Sequence, residues 1–227
     1  MKNTAIVLIL FAAVQAFAQP SDVHNKLRNY NVSLTDITLN TQPFGFRKAF
    51  SMEVSTYYNQ YPANYSATYD PSQSPAWQMT SWNGQSPDKQ QADVLKIKVE
   101  RCATEPVKID EKTLKAEQFG DYLIVSFRLD PSTVPSEYMY LKDCGGQAYI
   151  NTVTGKLEKT IWENFQPTKS QSLHLNNIRE EVYFGFADAS YHVTRELQYI
   201  GETERTPSGD VSGEAYQSIT YSNYRKM

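Results

Sequence analysis

The sequence predicts a mainly β protein with few helices, built from antiparallel strands. Hydrophobic residues alternate with polar ones along several segments, aromatic and β-branched residues are common, and turn residues separate the segments. Tyrosine alone occurs 16 times in the 227 residues. It suits strands because its ring packs against neighbours while its hydroxyl group reaches water. Each predicted strand therefore has one apolar face and one polar face.

Residues 1–18 are predicted to be a cleaved secretory signal peptide. Lys2 precedes an apolar run over residues 5–14, and the A-x-A pattern at residues 16–18 is typical of a cleavage site. The run is about ten residues long, too short to span roughly 30 Å of hydrocarbon. The residue immediately after the cleavage site is not a cysteine, which argues against a lipid anchor there. Residues 19–227 contain no low-complexity linker or internal repeat, so we expect a single domain. We also expect this domain to be exported and not to span a membrane.

The alternation is clearest in residues 46–58, 121–130 and 181–188. The apolar positions on the buried faces of these strands are predicted to be Phe50, Met52, Val54, Leu123, Val125, Phe127, Leu129, Val182, Phe184 and Phe186. Residues 149–162 indicate a hairpin that turns at Gly155, and residues 206–215 indicate a longer turn before a last strand over 216–225.

Residues 76–101 are predicted to form a strand, a turn and a helix in that order. Ser86 is a suitable N-cap, and proline is favoured at the first helical position that follows it. Trp77 and Trp82 lie five residues apart, so a regular strand would place them on opposite faces. A short helix is also expected near residues 21–30, with Ser21 as its N-cap.

Cys102 and Cys144 are the two cysteines of the chain. Export would place them in an oxidising compartment, which favours a disulfide bond between them over two free thiols. Two cysteines without neighbouring histidines do not make a structural zinc site. We therefore predict a disulfide and no metal site.

Composition and motifs also exclude several functional classes. The formal net charge is −3, and it becomes about −4 once Lys2 is removed, so nucleic acid is not an expected partner. The sequence has no G-x-S-x-G, H-E-x-x-H or glycine-rich phosphate loop. His24, His174 and His192 are widely spaced. We predict no catalytic residue, no cofactor and no enzymatic activity.

Two groups of short motifs resemble a known family. The first is a Y-D-P-S sequence followed by a tryptophan, an N-G pair and a proline, and the second is a terminal Y-S-N-Y-R strand. In this order they resemble uncharacterised secreted bacterial proteins related to the LolA-type lipoprotein carriers. The residues that carry the resemblance are Tyr69, Asp70, Pro71, Ser72, Trp77, Asn83, Gly84, Pro87, Tyr221, Ser222, Asn223, Tyr224 and Arg225.

The resemblance implies a curved antiparallel sheet that forms an incomplete β-barrel, with helices covering the concave face. It also implies a soluble periplasmic protein whose apolar cavity binds a lipid or the acyl chain of a lipoprotein. On this interpretation Trp77 and the apolar strand residues named above line the cavity. Those same residues fill a closed core if no ligand binds. The alternative function is an extracellular β-sandwich that serves as an adhesion or carbohydrate-binding module, with tyrosine and tryptophan rings on its surface.

Overall fold

The computed structural model describes residues 20–42, 49–58, 61–93, 105–134, 136–169 and 173–225. The predicted signal peptide therefore lies outside the described residues, as does most of the helix predicted over 88–101. The helices are α1 (Pro20–Arg28) and α2 (Leu34–Ile37), and the 3₁₀ segments are Leu39–Thr41, Glu111–Thr113 and Ser136–Asp143. The strands are β1 (Ala49–Tyr58), β2 (Tyr61–Tyr69), β3 (Trp77–Trp82), β4 (Lys115–Phe119), β5 (Tyr122–Phe127), β6 (Cys144–Asn151), β7 (Lys156–Asn164), β8 (Thr168–Lys169), β9 (Leu173–Ala187), β10 (Ser190–Thr206) and β11 (Gly209–Arg225).

All eleven described strands belong to one antiparallel sheet. Its order is β3-β2-β1-β11-β10-β9-β7-β6-β5-β4, and β8 pairs with β9 beside this path. Most neighbours are consecutive hairpin partners, whereas β11 returns to pair with β1. In the described part of the chain β3 and β4 are the two edges, so the sheet is not closed into a barrel. The prediction of a mainly β, antiparallel protein with few helices is confirmed.

Alternation along the strands gives the sheet two different faces. On β1, Phe50, Met52 and Val54 are buried, while Glu53 and Ser55 at the alternate positions are exposed. Cross-strand register continues the same face across the sheet, because directly paired residues point to the same side. We call the side that carries Phe50, Val125 and Val182 the covered face, and the opposite side the outer face.

The N-terminal segment, residues 20–42, lies against the covered face. Helix α1 contacts β4, α2 contacts β7, and the Leu39–Thr41 turn contacts β10. Ser33 begins α2 with a capping box, since its side chain accepts a hydrogen bond from the Asp36 backbone and Asp36 accepts one from the Ser33 backbone. At the other end of α2, Thr160 Oγ1 donates to the Ile37 carbonyl oxygen at 2.9 Å, and both residues are fully buried. This bond fixes α2 to the centre of the sheet.

A β-bulge changes the expected positions of two tryptophans. In β3, Met79 pairs with Ala67 but Ser81 pairs with Ser66, so one extra residue interrupts the alternation. Trp77 is consequently opposite Tyr69, and Trp82 is opposite Tyr65. Both tryptophans therefore face the covered side. The prediction that they point to opposite faces is wrong, because it assumed a regular strand.

The turns and caps follow the sequence with small shifts. Gly155 has a φ of 70° at the predicted hairpin turn between β6 and β7, which confirms that prediction. The turn between β10 and β11 is much shorter than the predicted 206–215, because Thr206 already pairs with Gly209. Helix α1 begins at Pro20, before the predicted cap at Ser21.

The second predicted helix begins two residues later than expected. Asp88 replaces Ser86 as its cap: the Gln91 backbone donates to Asp88 Oδ1 at 2.9 Å, and the Asp88 backbone donates to Gln91 Oε1 at 3.0 Å. Residues 89–93 are helical. An aspartate is as good an N-cap as a serine, and it also gains from the positive end of the helix dipole.

Candidate functional site

The structure brings most of the predicted ligand-binding residues together on the covered face. Trp77 and Phe184 are partly buried against the core, whereas Phe186 is 44 % exposed. Phe186 lies near the end of β9, where its ring packs against Tyr191 with 4.9 Å between centroids. The remaining eight residues are buried in a single hydrophobic cluster: Phe50, Met52, Val54, Leu123, Val125, Phe127, Leu129 and Val182. Their role in binding a ligand remains a prediction.

One end of the covered face is aromatic. The Phe50 ring lies 5.3 Å from the Tyr69 ring and 5.6 Å from the Trp77 ring, measured between centroids. Tyr221 and Tyr224 approach the same ring to 5.2 and 5.6 Å. Edge and tilted contacts of this kind each stabilise by about 1 kcal/mol beyond the burial of apolar area. These five residues form a rigid aromatic end to the core.

The two motifs that carry the family resemblance meet beside this aromatic end. Asp70 Oδ1 accepts hydrogen bonds from the backbone and the hydroxyl of Ser72, at 3.0 and 2.6 Å. These bonds lower the pKa of Asp70, and the Arg225 guanidinium, 3.9 Å away, lowers it further. Asn223 has a φ of 55° and donates through Nδ2 to Ser51 Oγ. Segments separated by about 150 residues of sequence thus build one structural unit.

A central polar cluster interrupts the apolar covered face. It consists of Asn40, Tyr140, Glu180, Glu196 and Gln198. Glu180 Oε1 accepts from Asn40 Nδ2 at 2.9 Å, and Glu180 Oε2 accepts from the Tyr140 hydroxyl at 3.2 Å. Gln198 Nε2 donates to the Tyr140 oxygen at 3.1 Å. Asn40 comes from the covering segment, so the cluster connects that segment to β9 and β10.

Burial and, after it, the nearby Glu196 carboxylate together raise the pKa of Glu180 to about 7. The hydrogen bonds from Tyr140 and Asn40 oppose this shift because they stabilise the ionised form. The carboxyl group thus changes its charge near neutral pH. Titratable groups shifted by burial and by a charged neighbour are common at functional sites.

The sequence itself contains a signal for this cluster. Along β9 the even positions Ile178 and Val182 are buried, and Glu180 lies between them on the same face. A glutamate in an apolar series breaks the alternation, and such breaks indicate either an error of register or a buried polar site. Register excludes the first explanation, because Glu180 pairs directly with Trp162 on the covered face.

Among the described residues, buried polar atoms without a hydrogen-bond partner occur on the covered face and in the N-terminal segment. Within the described residues, neither Trp162 Nε1 nor Gln42 Oε1 has a hydrogen-bond partner, although Trp162 is fully buried and Gln42 nearly so. Leaving such a group unsatisfied costs about 1–3 kcal/mol. Trp162 Nε1 is thus an unsatisfied donor on the covered face within the described residues.

Of the two cysteines in the predicted disulfide, the structure describes Cys144 alone. Cys144 is a buried free thiol whose Sγ donates to the Tyr140 carbonyl oxygen at 3.3 Å, and Cys102 lies outside the described residues. Burial raises the pKa of Cys144 to about 12, with Glu180 and Asp143 adding to the shift. A thiol in this state is a poor nucleophile, since the thiolate is the reactive form. The described part of the chain gives no support to a disulfide.

The histidines lie at three separate places. His24 Nε2 is 3.6 Å from Glu111 Oε2 on the surface, His174 pairs with Thr203 in the sheet, and the His192 ring stacks 4.6 Å from that of Tyr224. Among the described residues, no group of three or more His, Cys, Asp or Glu side chains is arranged to hold a metal ion. Within the same residues, no helix has the length and apolar character needed to cross a membrane.

Comparisons of the chain with protein-family models, with curated proteins and with solved structures found no match in any of the three.

Proposed function

We propose that this protein is a non-enzymatic periplasmic carrier that binds a lipid or a lipoprotein acyl chain against the covered face of its sheet. The observation that carries the proposal is the nature of the cover. One open sheet presents a long apolar face, and the N-terminal segment lies over it where a sandwich would have a second sheet. A helical cover on a single sheet can separate from it without unpairing a strand.

The size of the sheet supports the half-barrel geometry that the proposal requires. Ten strands follow one another along the hydrogen-bonded path. Strands in a sheet are rotated by roughly 20–25° relative to their neighbours, and open sheets of about ten strands curl rather than stay flat. Curvature toward the apolar side would make the covered face concave, with residues 20–42 over it.

The chemistry of the covered face suits an amphiphilic ligand. Each methylene of an acyl chain that is removed from water contributes about 0.8 kcal/mol to the free energy of binding. The burial of half of a long chain is therefore sufficient for stable binding. The central polar cluster and the Trp162 indole N–H offer hydrogen-bonding groups close to that apolar surface. An acyl chain with a polar ester or amide end would find partners for both of its parts.

A direct test is native mass spectrometry of the protein purified from its own host. We expect an added mass that organic extraction removes, and we expect the extracted protein to take up a fluorescent fatty acid. If no lipid is retained and the fatty acid does not bind, the carrier proposal is wrong.

A matched pair of substitutions tests the location. Val125 and Ile124 are adjacent on β5 and point to opposite faces, with Val125 fully buried. Val125→Phe should displace the fatty acid if the covered face binds it, whereas Ile124→Phe should not. If Val125→Phe leaves fatty-acid uptake unchanged and only destabilises by about 1–3 kcal/mol, the face is a filled core.

The alternative is a carbohydrate-binding module, and one observation favours it. Tyr57, Tyr216 and Tyr199 are directly paired neighbours on three adjacent strands of the outer face, and Tyr57 and Tyr216 are exposed. The tryptophans do not contribute, because Trp162 is fully buried and Trp77 packs against the core. The described strands form one sheet, where a sandwich would have two. Glycan-array binding that Tyr57→Ala abolishes would favour this alternative over the carrier.

A further inference from the structure

A groove of about 450 Å³ lies on the outer face, on the side of the sheet opposite the covered face. Its floor is formed by Ser126, Gly145, Gln147 and Ile161 from three adjacent strands. This volume is within the range of sites that bind small molecules. The groove therefore has the size of a site for a small molecule.

A close contact between an aromatic ring and a glycine shapes one wall. A Cβ atom built on Gly145 would lie 2.6 Å from Phe165 Cζ, so the ring rests directly on the backbone of β6. Phe165 is nevertheless 55 % exposed. The Arg128 guanidinium stacks over the same ring, with Cζ 4.0 Å from its centroid. Phe165 thus presents a flat apolar surface beside a fixed positive charge.

Two hydrogen bonds fix the backbone of Arg128. Its N–H donates to Thr113 Oγ1 at 2.8 Å, and its carbonyl accepts from the Asp110 backbone at 2.9 Å. Within the described residues its guanidinium forms no ion pair with a carboxylate. The planar donor fork of an arginine that is stacked but not ion-paired remains available to an oxyanion.

The charge of the groove favours an anion. Arg128 contributes a positive charge to its lining, Lys115 is its second basic residue, and Glu163 is its acidic residue. Glu163 is paired with Arg179 outside the groove, which offsets its charge. Gln147 accepts a hydrogen bond from Tyr149 through Oε1, so its amide N–H₂ is the part left to face a ligand.

We propose that this groove binds a small organic anion with a flat apolar body, which packs on Phe165 while its carboxylate meets the Arg128 guanidinium. Lys115 adds positive charge near the carboxylate, and the Gln147 amide and the Ser126 hydroxyl contribute further donors along the floor. The site does not depend on the lipid-carrier function, and either can be wrong without the other.

Three probes of nearly the same shape and different charge test the proposal. Benzoate is anionic, benzamide is neutral and benzamidine is cationic at neutral pH. Titration of each into the ¹⁵N-labelled full chain should shift the amide resonances around Arg128, Gln147 and Phe165 with benzoate alone, at a millimolar Kd. Equal or stronger binding of benzamidine, or no shift near the groove with benzoate, would overturn the proposal.

Variants then assign the contact. Arg128→Gln should weaken benzoate binding at least about tenfold, as expected for a lost charge-assisted hydrogen bond. Lys112→Gln removes a similar charge in the nearby Glu111–Thr113 turn, and it should change the affinity less than about twofold because Lys112 does not line the groove. The spectrum of each variant shows that the fold is retained. Equal losses in both variants would mean general electrostatic attraction and would refute a specific site.

Discussion

Two adjacent glutamates on β9 should give the protein two opposite dependences of stability on pH. Glu180 is on the covered face, where burial and Glu196 raise its pKa from 4.5 to about 7. Glu181 is on the outer face, where hydrogen bonds from Tyr183 and then from Arg179 lower its pKa. The two carboxyls share a strand and a local sequence, so the difference between their pKa values must come from the face of the sheet on which each one lies.

For Glu180 the folded state keeps its proton over a range in which the unfolded state has lost it. Between about pH 4.5 and 7 folding takes up a proton, so the free energy of unfolding falls as the pH rises and becomes level above 7. A shift of this size corresponds to about 3 kcal/mol. Glu180→Gln cannot ionise, and like the protonated acid it keeps one acceptor oxygen while its amide N–H₂ replaces the second oxygen. As the pH rises from 4 to 8, the free energy of unfolding of the variant should increase relative to that of wild type, by up to about 3 kcal/mol.

For Glu181 the sign is reversed. Its contribution is present above the unfolded pKa near 4.5 and is lost as the pH falls through the lower folded pKa. Glu181→Gln should therefore destabilise at neutral pH, by at most about 1 kcal/mol because the group is close to water, and the effect should fade toward acid pH. This variant is the matched control for Glu180→Gln.

Urea denaturation followed by tryptophan fluorescence at pH 4, 5.5, 7 and 8 measures both effects. A difference between wild type and Glu180→Gln that stays constant over this range would refute the buried ionisable site. A Glu180→Gln variant that is less stable than wild type at pH 8 would refute it as well.

Two further predictions concern the cover and the thiol. Thr160→Val removes the hydroxyl that donates to the buried Ile37 carbonyl, so it should lower the free energy of unfolding by about 1–3 kcal/mol; a loss below about 0.5 kcal/mol would mean that α2 is not fixed to the sheet by this bond. In a Cys102→Ser variant, the Cys144 thiol should not react with Ellman's reagent until the protein unfolds, because burial raises its pKa to about 12; rapid reaction in the native state would contradict its burial.

Local sequence was enough to predict several of the strands and their buried faces. The alternation in residues 46–58 and 121–130 correctly indicates that Phe50, Val54, Leu123 and Val125 are buried. It works because the side-chain period of a strand is two, and because an antiparallel sheet with one dry face imposes that period on the chain. The Gly155 turn was predictable for a similar local reason, since a positive φ favours glycine.

The bulge in β3 could not be read from the sequence. Trp77 and Trp82 share a face because Tyr69 and Tyr65 on the neighbouring strand offer stacking partners there, and the extra residue is the adjustment that satisfies both contacts. The sequence marks Glu180 as a polar residue in an apolar series, but it does not give the partners of either Glu180 or Glu181. Their environments differ because Asn40, Tyr140 and Glu196 come from distant parts of the chain.

Hydrophobic periodicity is a property of neighbouring residues, so it fixed which segments are strands and which side of each strand is apolar. The order of the strands, the partner of each polar side chain and the groove at Phe165 depend on contacts between residues far apart in sequence. These contacts form only when the apolar faces are buried together. That burial, and no local pattern, places the Glu180 carboxyl in the interior and the Glu181 carboxyl on the outer face.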